Sequence, residues 1–263
     1  MIPQSDITEW SNYVPWQTNE QVEQDLVICR SLVEIYRDDF LAGHLAFRGG
    51  TALHKLFIQP QCRYSEDLDF VQIKAEPIGE VFDHLRKALS FMGNPKAQAG
   101  ENMATMKFRF DSEIQPIVPL RLKIETNCRE HFAELGWQEK KFEVKSRWFS
   151  GDCKLTTYRL EELLGTKIRA LYQRKKGRDL YDIFKALIAD PALDKDALIR
   201  CYRRYMAFSV DHVPSRKEFL LNMEEKMADP FFIGDIKGLI RPTEVYDQEH
   251  AFELFKTEIL EKL

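Results

Sequence analysis

The sequence predicts an α+β fold: a lobe of mixed sheet and helices, followed by a lobe built from helices alone. Three patterns carry this expectation. Leu120, Leu122 and Ile124 alternate with Arg121, Lys123 and Glu125, the period-two signature of a half-buried strand. Val22, Leu26, Cys29, Leu32, Val33 and Tyr36 recur at helical spacing instead. From Tyr158 onward only the helical spacing persists, which places the lobe boundary near 150–157 and gives lobes of 1–155 and 156–263 with a cleft between them.

Taken in order, residues 18–40 read as an amphipathic helix that leads into a short strand at 44–48. That strand ends at Gly49-Gly50, and Thr51 to Phe57 forms a short helix stopped near Pro60. Leu68 to Ile73 reads as a strand, and 78–92 as a helix closed by Gly93-Asn94-Pro95. Strands follow at 104–110 and 117–127, with weak strand signals from Lys141 to Phe149. The second lobe reads as helices at 159–175, 178–189, 194–207, 215–226 and 247–262.

Composition excludes several classes. The 263 residues are 44% hydrophobic and 30% charged, the balance of an ordinary globular protein long enough for a full core. No apolar run approaches the roughly 20 residues that cross a bilayer, and the opening Met1-Ile2-Pro3-Gln4-Ser5-Asp6 is not a signal peptide. Five scattered cysteines without a Cys-x-x-Cys pair argue against a disulfide framework or structural zinc and for a reducing cytoplasm. The net charge of −4 does not announce a nucleic-acid binder, although a local basic patch is compatible with it.

The chemistry concentrates in Phe47-Arg48-Gly49-Gly50-Thr51 and Asp67-Leu68-Asp69. A Gly-Gly-Thr turn opening a helix offers backbone N–H groups to a phosphate, and only glycine lets the backbone approach a triphosphate closely. Asp67 and Asp69, spaced i, i+2 on a strand, point to one face and can hold one hard cation, Mg²⁺ by ligand type. Glu125 is the natural third carboxylate if its strand lies beside theirs. Thr51 caps the helix or touches a phosphate, and Arg63 and Ser65 are candidate phosphate contacts. Together these residues read as a site for Mg²⁺ and a nucleoside triphosphate, a nucleotidyltransferase layout.

A second segment runs from Leu160 to Lys175. Lys167 falls on its apolar stripe, so its ammonium either snorkels out or faces a polar cleft, where it can neutralise phosphate charge. Asp179 and Asp182 are i, i+3 neighbours at the start of the next helix. Arg174, Lys175, Lys176 and Arg178 beside them form either a solvated face or a grip on an RNA backbone.

In combination these stretches resemble the AbiEii toxin family: Phe-Arg-Gly-Gly-Thr-Ala-Leu, Arg63 to Phe70, Lys123-Ile124-Glu125, Leu160 to Lys167, and Arg178 to Asp182. Asp229-Pro230-Phe231-Phe232-Ile233-Gly234-Asp235-Ile236 resembles that family's C-terminal region, so the likeness spans about residues 44 to 240. Members are nucleotidyltransferase-like toxins of type IV toxin–antitoxin and abortive-infection systems. The resemblance implies a polymerase-β-type lobe followed by a helical lobe, transfer of a nucleoside monophosphate from an NTP to the acceptor end of tRNA, and a cognate antitoxin as partner. It makes Ser65 and Asp67 the first essential motif, Asp69 the second metal ligand, Lys167 the essential lysine, and Asp179 or Asp182 the essential C-terminal acid. Lys123 and Asp182 complete the candidate nucleotide-binding set. Two rival readings stand beside it: a nucleotidyltransferase acting on a protein or small molecule, and a nucleotide-binding regulator without turnover.

Overall fold

Among the described residues seven strands form one mixed sheet, in the order Lys96–Ala99, Met103–Asp111, Pro119–Asn127, Asp67–Gln72, Leu45–Arg48, Ser150–Thr157, Gln138–Lys145. The structure, a computed structural model, describes residues 2–14 and 16–263, and the chain divides into two units. The first takes the residues up to Phe132 together with Trp137–Tyr158, and the second takes Ala133–Gly136 and Arg159–Leu263.

The first unit holds α1 (Gln4–Trp10), α2 (Asn19–Arg37), α3 (Asp39–His44), β1 (Leu45–Arg48), α4 (Gly49–Leu56), β2 (Asp67–Gln72) and α5 (Gly79–Ala88). It continues with β3 (Lys96–Ala99), β4 (Met103–Asp111), β5 (Pro119–Asn127), β6 (Gln138–Lys145) and β7 (Ser150–Thr157). Thr18 starts α2 by accepting from the Gln21 N–H, as a β-region N-cap does. The helix expected over 18–40 is two helices. Asp38 breaks it at an extended backbone and accepts from the Leu41 N–H at 3.0 Å, so it caps α3 instead of continuing α2.

β2 lies between β1, to which it runs antiparallel, and β5, to which it runs parallel. Leu68 and Phe70 of β2, Leu122 and Ile124 of β5, and Met106 and Phe108 of β4 bury one face of the sheet completely. Leu26, Leu32 and Val33 of α2 belong to the same core. Burial of this apolar surface, at roughly 25 cal/mol per Å², is what fixes the register. α4 is tied down separately: Lys55 Nζ lies 2.9 Å from Asp25 Oδ1 of α2, and the Trp10 indole donates to the same carboxylate at 3.1 Å.

β3 and β7 were not foreseen. β3 is exposed at all four residues, so it has no apolar alternation to betray it. β7 carries Thr157 as its buried partner to Phe47 of β1, a polar residue whose hydroxyl donates to the Phe47 carbonyl at 2.6 Å.

The second unit is helical: α6 (Leu160–Gln173), α7 (Gly177–Ala189), α8 (Lys195–Ser209), α9 (Arg216–Met227), α10 (Pro230–Gly234) and α11 (Gln248–Glu258). The five helices expected here are all present, with the short α10 in addition. Gly165 explains how α6 and α8 pack: a Cβ there would sit 2.8 Å from the backbone nitrogen of Tyr202 and 2.8 Å from Cys201 Cβ. Glu162 is fully buried and accepts from the Glu134 and Leu135 N–H groups and from the Tyr205 hydroxyl, which fixes the segment 133–136 to α6. Among the described residues no helix is long and apolar enough to cross a membrane.

Candidate active site

Strand register decides which side chains meet. Cα partners place Asp67 beside Lys123, and Asp69 beside both Glu125 on β5 and Arg48 on β1. Side chains alternate along each strand, so Asp67, Asp69, Lys123, Glu125 and Arg48 share the face opposite the core. All five are partly exposed there. Arg48, not singled out in the sequence as a candidate, shares this face, and its guanidinium is paired with Glu130 at 2.6 Å.

The Gly-Gly-Thr turn closes onto the acids. Gly49 has φ of +78°, and a Cβ on it would lie 2.2 Å from Asp69 Oδ2, so the carboxylate occupies the space a side chain would need. Gly49 and Gly50 are the first two residues of α4, whose opening N–H groups have no partners within the helix. Thr51 is buried, and its hydroxyl donates to the Asp67 carbonyl oxygen at 2.5 Å and lies 2.8 Å from Ser65 Oγ. Thr51 and Ser65 therefore join α4 to the start of β2. Arg63 is buried and donates to the Tyr64 carbonyl at 2.8 Å, a structural setting rather than an open one.

Gly49→Ala is expected to cost about 1–2 kcal/mol from the positive φ alone and to displace Asp69. Thermal melting, together with a loss of nucleotide affinity larger than the loss of stability, checks this.

Lys123 sits between two of the acids, its Nζ 3.0 Å from Asp67 Oδ2 and 2.9 Å from Glu125 Oε2. β5 does lie beside β2, as a three-carboxylate site requires. Yet among the described residues no three Asp, Glu, His or Cys side chains close on one point, because the Lys123 ammonium stands between Asp67 and Glu125. Burial pushes the Asp67 carboxyl up to about 6, against the pull of Lys123, and the Asp69 charge adds to the rise. Lys123 is itself raised: burial works against its charge, and its hydrogen bonds to Glu125 and Asp67 outweigh that. Such a site is short of positive charge. Hard oxygen donors on one strand face, with a cation already seated between two of them, fit a divalent ion of the Mg²⁺ type.

In the second unit, Lys167, Asp179 and Asp182 are brought together. Lys167 Nζ lies 3.2 Å from Asp179 Oδ1 and 2.5 Å from Asp182 Oδ2, and all three side chains are almost wholly buried. Arg174 adds two hydrogen bonds to Asp179, at 2.7 and 2.8 Å. Burial raises the Asp179 carboxyl, but Lys167 and then Arg174 pull it down further, leaving it below the ordinary carboxylate range. The basic cluster beside it is taken up internally: Lys175 pairs with Asp229, and Lys176 and Arg178 pair with Asp235. Arg174, Lys175 and Lys176 stay about half exposed in these pairs.

The profile of the AbiEii family, described as nucleotidyl transferase AbiEii toxin of type IV toxin–antitoxin systems, matches residues 30–256. The chain belongs to that family. As an AbiEii protein it is a nucleotidyltransferase toxin of the type IV kind, and the family implies a cognate antitoxin. Among solved structures it resembles MenT4, a nucleotidyltransferase toxin of Mycobacterium tuberculosis H37Rv, at 17% identity and a TM-score of 0.71, covering 100% of this chain and 91% of that one. It also resembles a structure from H. pylori described as a nucleotidyltransferase, at 17% identity and a TM-score of 0.58, covering 90% and 92%. At such identities the likeness is one of fold. No curated protein matches the chain in sequence.

Proposed function

We propose that this AbiEii protein moves a nucleoside monophosphate from an NTP to the end of an RNA, with tRNA as the acceptor that the family resemblance implies, and that it needs Mg²⁺. The observation that carries the site is the register of β1, β2 and β5, which sets Asp67, Asp69 and Glu125 on one face against the opening of α4. Asp67 and Asp69 would hold the ion, with Glu125 beside them, and a bound Mg²⁺ supplies charge neutralisation on the α-phosphate.

The chain's own groups do the rest. Gly49, Gly50 and Thr51 present the free N–H groups of α4 to the triphosphate. Glu125 takes the proton from the acceptor hydroxyl as its oxygen bonds to the α-phosphorus and pyrophosphate leaves. Lys123 balances the Asp67 and Glu125 charges before the ion arrives and is free to turn to a phosphate afterwards. Lys167 joins α6 to α7 through Asp179 and Asp182, so its contribution to activity runs through the order of the helical unit.

The test is label transfer from each α-³²P-NTP to total tRNA in the presence of Mg²⁺, beside the Asp67→Ala/Asp69→Ala variant. Label on tRNA with the wild type alone supports the reading. Label on protein or a small molecule, or nucleotide binding without any transfer, overturns it.

A further inference from the structure

We propose that the open face of β5, β4 and β3 is the track on which the acceptor RNA strand lies, with Lys96, Lys107, Arg109 and Arg121 holding its phosphates. This rests on the RNA-transfer reading and adds the direction from which the acceptor arrives. The β4–β5 register pairs Lys107 with Lys123 and Arg109 with Arg121, and the β3–β4 register pairs Lys96 with Lys107. Directly opposed residues share a face, so these cations continue the very face that carries Asp67, Asp69 and Glu125. From β2 outwards one row reads Asp67, Lys123, Lys107, Lys96.

Lys96, Lys107, Arg109 and Arg121 are exposed, and their side chains have no ion-pair or hydrogen-bond partner among the described residues. Like charges placed directly across strands repel one another. Lys96 against Lys107 and Arg109 against Arg121 are such placements, and an anionic occupant relieves both. Beyond Glu125, the carboxylate on this part of the face is Asp111, at its far end opposite Pro119.

Sheet order supplies the direction. α4 opens directly from the end of β1, which flanks β2 on one side, and β5 flanks it on the other. In-line displacement puts the entering and leaving oxygens on opposite sides of the phosphorus. With the phosphates at α4, the acceptor hydroxyl enters over β5, and the sheet continues that way only through β4 and β3. The face has no aromatic residue from these three strands, so it offers charge without stacking platforms. Such a surface reads a backbone and not a base sequence.

The experiment uses the full chain and fluorescein-labelled tRNA. In the Lys96→Glu/Lys107→Glu/Arg109→Glu/Arg121→Glu variant, affinity is expected to fall on the order of 100-fold at moderate salt. The slope of log K against log salt should flatten by roughly 3, at about 0.7 per lost phosphate contact. Melting temperature and NTP affinity should stay at wild-type values. A variant with Arg86, Lys87, Arg216 and Lys217 reversed carries the same charge change off this face and should bind as wild type. The milder Lys96→Gln/Lys107→Gln pair should show about half the slope change, which covers a failure of the quadruple variant to fold. Unchanged affinity and slope in both variants, while the wild type still labels tRNA, would sink the track and leave the transfer reading standing. A wild type that neither binds nor labels RNA removes both.

Discussion

Lys167→Met is expected to destabilise the helical unit by about 3–5 kcal/mol, the usual result of removing one partner from a buried ion pair. The ammonium touches two fully buried carboxylates from the next helix, so its loss strands negative charge in a place water does not reach. Circular dichroism at the helical band during heating should show the midpoint dropping by roughly 10 °C or more. Adding Asp182→Asn to Lys167→Met should recover much of the loss, because Asp179 keeps its two hydrogen bonds from Arg174. Acid gives an independent check. Asp179 titrates below its ordinary value of 3.8, so its stabilising contribution is fully present above that pH and disappears as the pH falls below it. The wild type should therefore lose stability faster than Asp179→Asn in that range. A Lys167→Met protein that melts like the wild type yet transfers nothing would instead assign the lysine to the chemistry.

Much of this arrangement was legible in the sequence, and the reasons are physical. Asp67-Leu68-Asp69 and Lys123-Ile124-Glu125 each alternate around a core residue, and burial of Leu68 and Ile124 is enough to turn their neighbours to the opposite face. The Gly-Gly pair was legible because close approach has few chemical solutions; here the approaching group is Asp69 itself. Pairing was not legible. Nothing in the one-dimensional pattern says that Lys123 lies between Asp67 and Glu125, or that Lys175, Lys176 and Arg178 find Asp229 and Asp235 more than fifty residues away. Charge partners depend on tertiary register, which leaves no local period. The same holds for β3, whose exposed residues follow no apolar alternation and whose place is set by its neighbour β4. The resemblance singled out Lys167 and one of Asp179 or Asp182 separately; the ion pairs that join Lys167 to both acids come from the packing of α6 on α7 and leave no trace in the sequence.

Asp67→Asn should separate catalysis from folding in the first unit. Transfer is expected to fall by about 10²–10³-fold, the scale of losing a group that stabilises transition-state charge, while the apo protein melts at the same temperature or higher. The gain follows from the direction of the titration. With a folded value of about 6 against an ordinary 3.8, the folded protein takes up a proton here more readily than the unfolded chain. Stability from this group is therefore fully present below pH 3.8 and is lost as the pH rises through about 6. Near pH 7 the ionised carboxylate costs up to about 2 kcal/mol after allowance for solvent screening, and asparagine does not carry that cost. Mg²⁺ should then separate the two proteins. It should raise the melting temperature of the wild type at pH 7 by binding the folded acids, and this shift should shrink as the pH falls below about 6 and protons compete for Asp67. In Asp67→Asn the shift should be nearly absent at every pH. Equal Mg²⁺ stabilisation of both proteins would place the ion elsewhere and remove Asp67 from its proposed role.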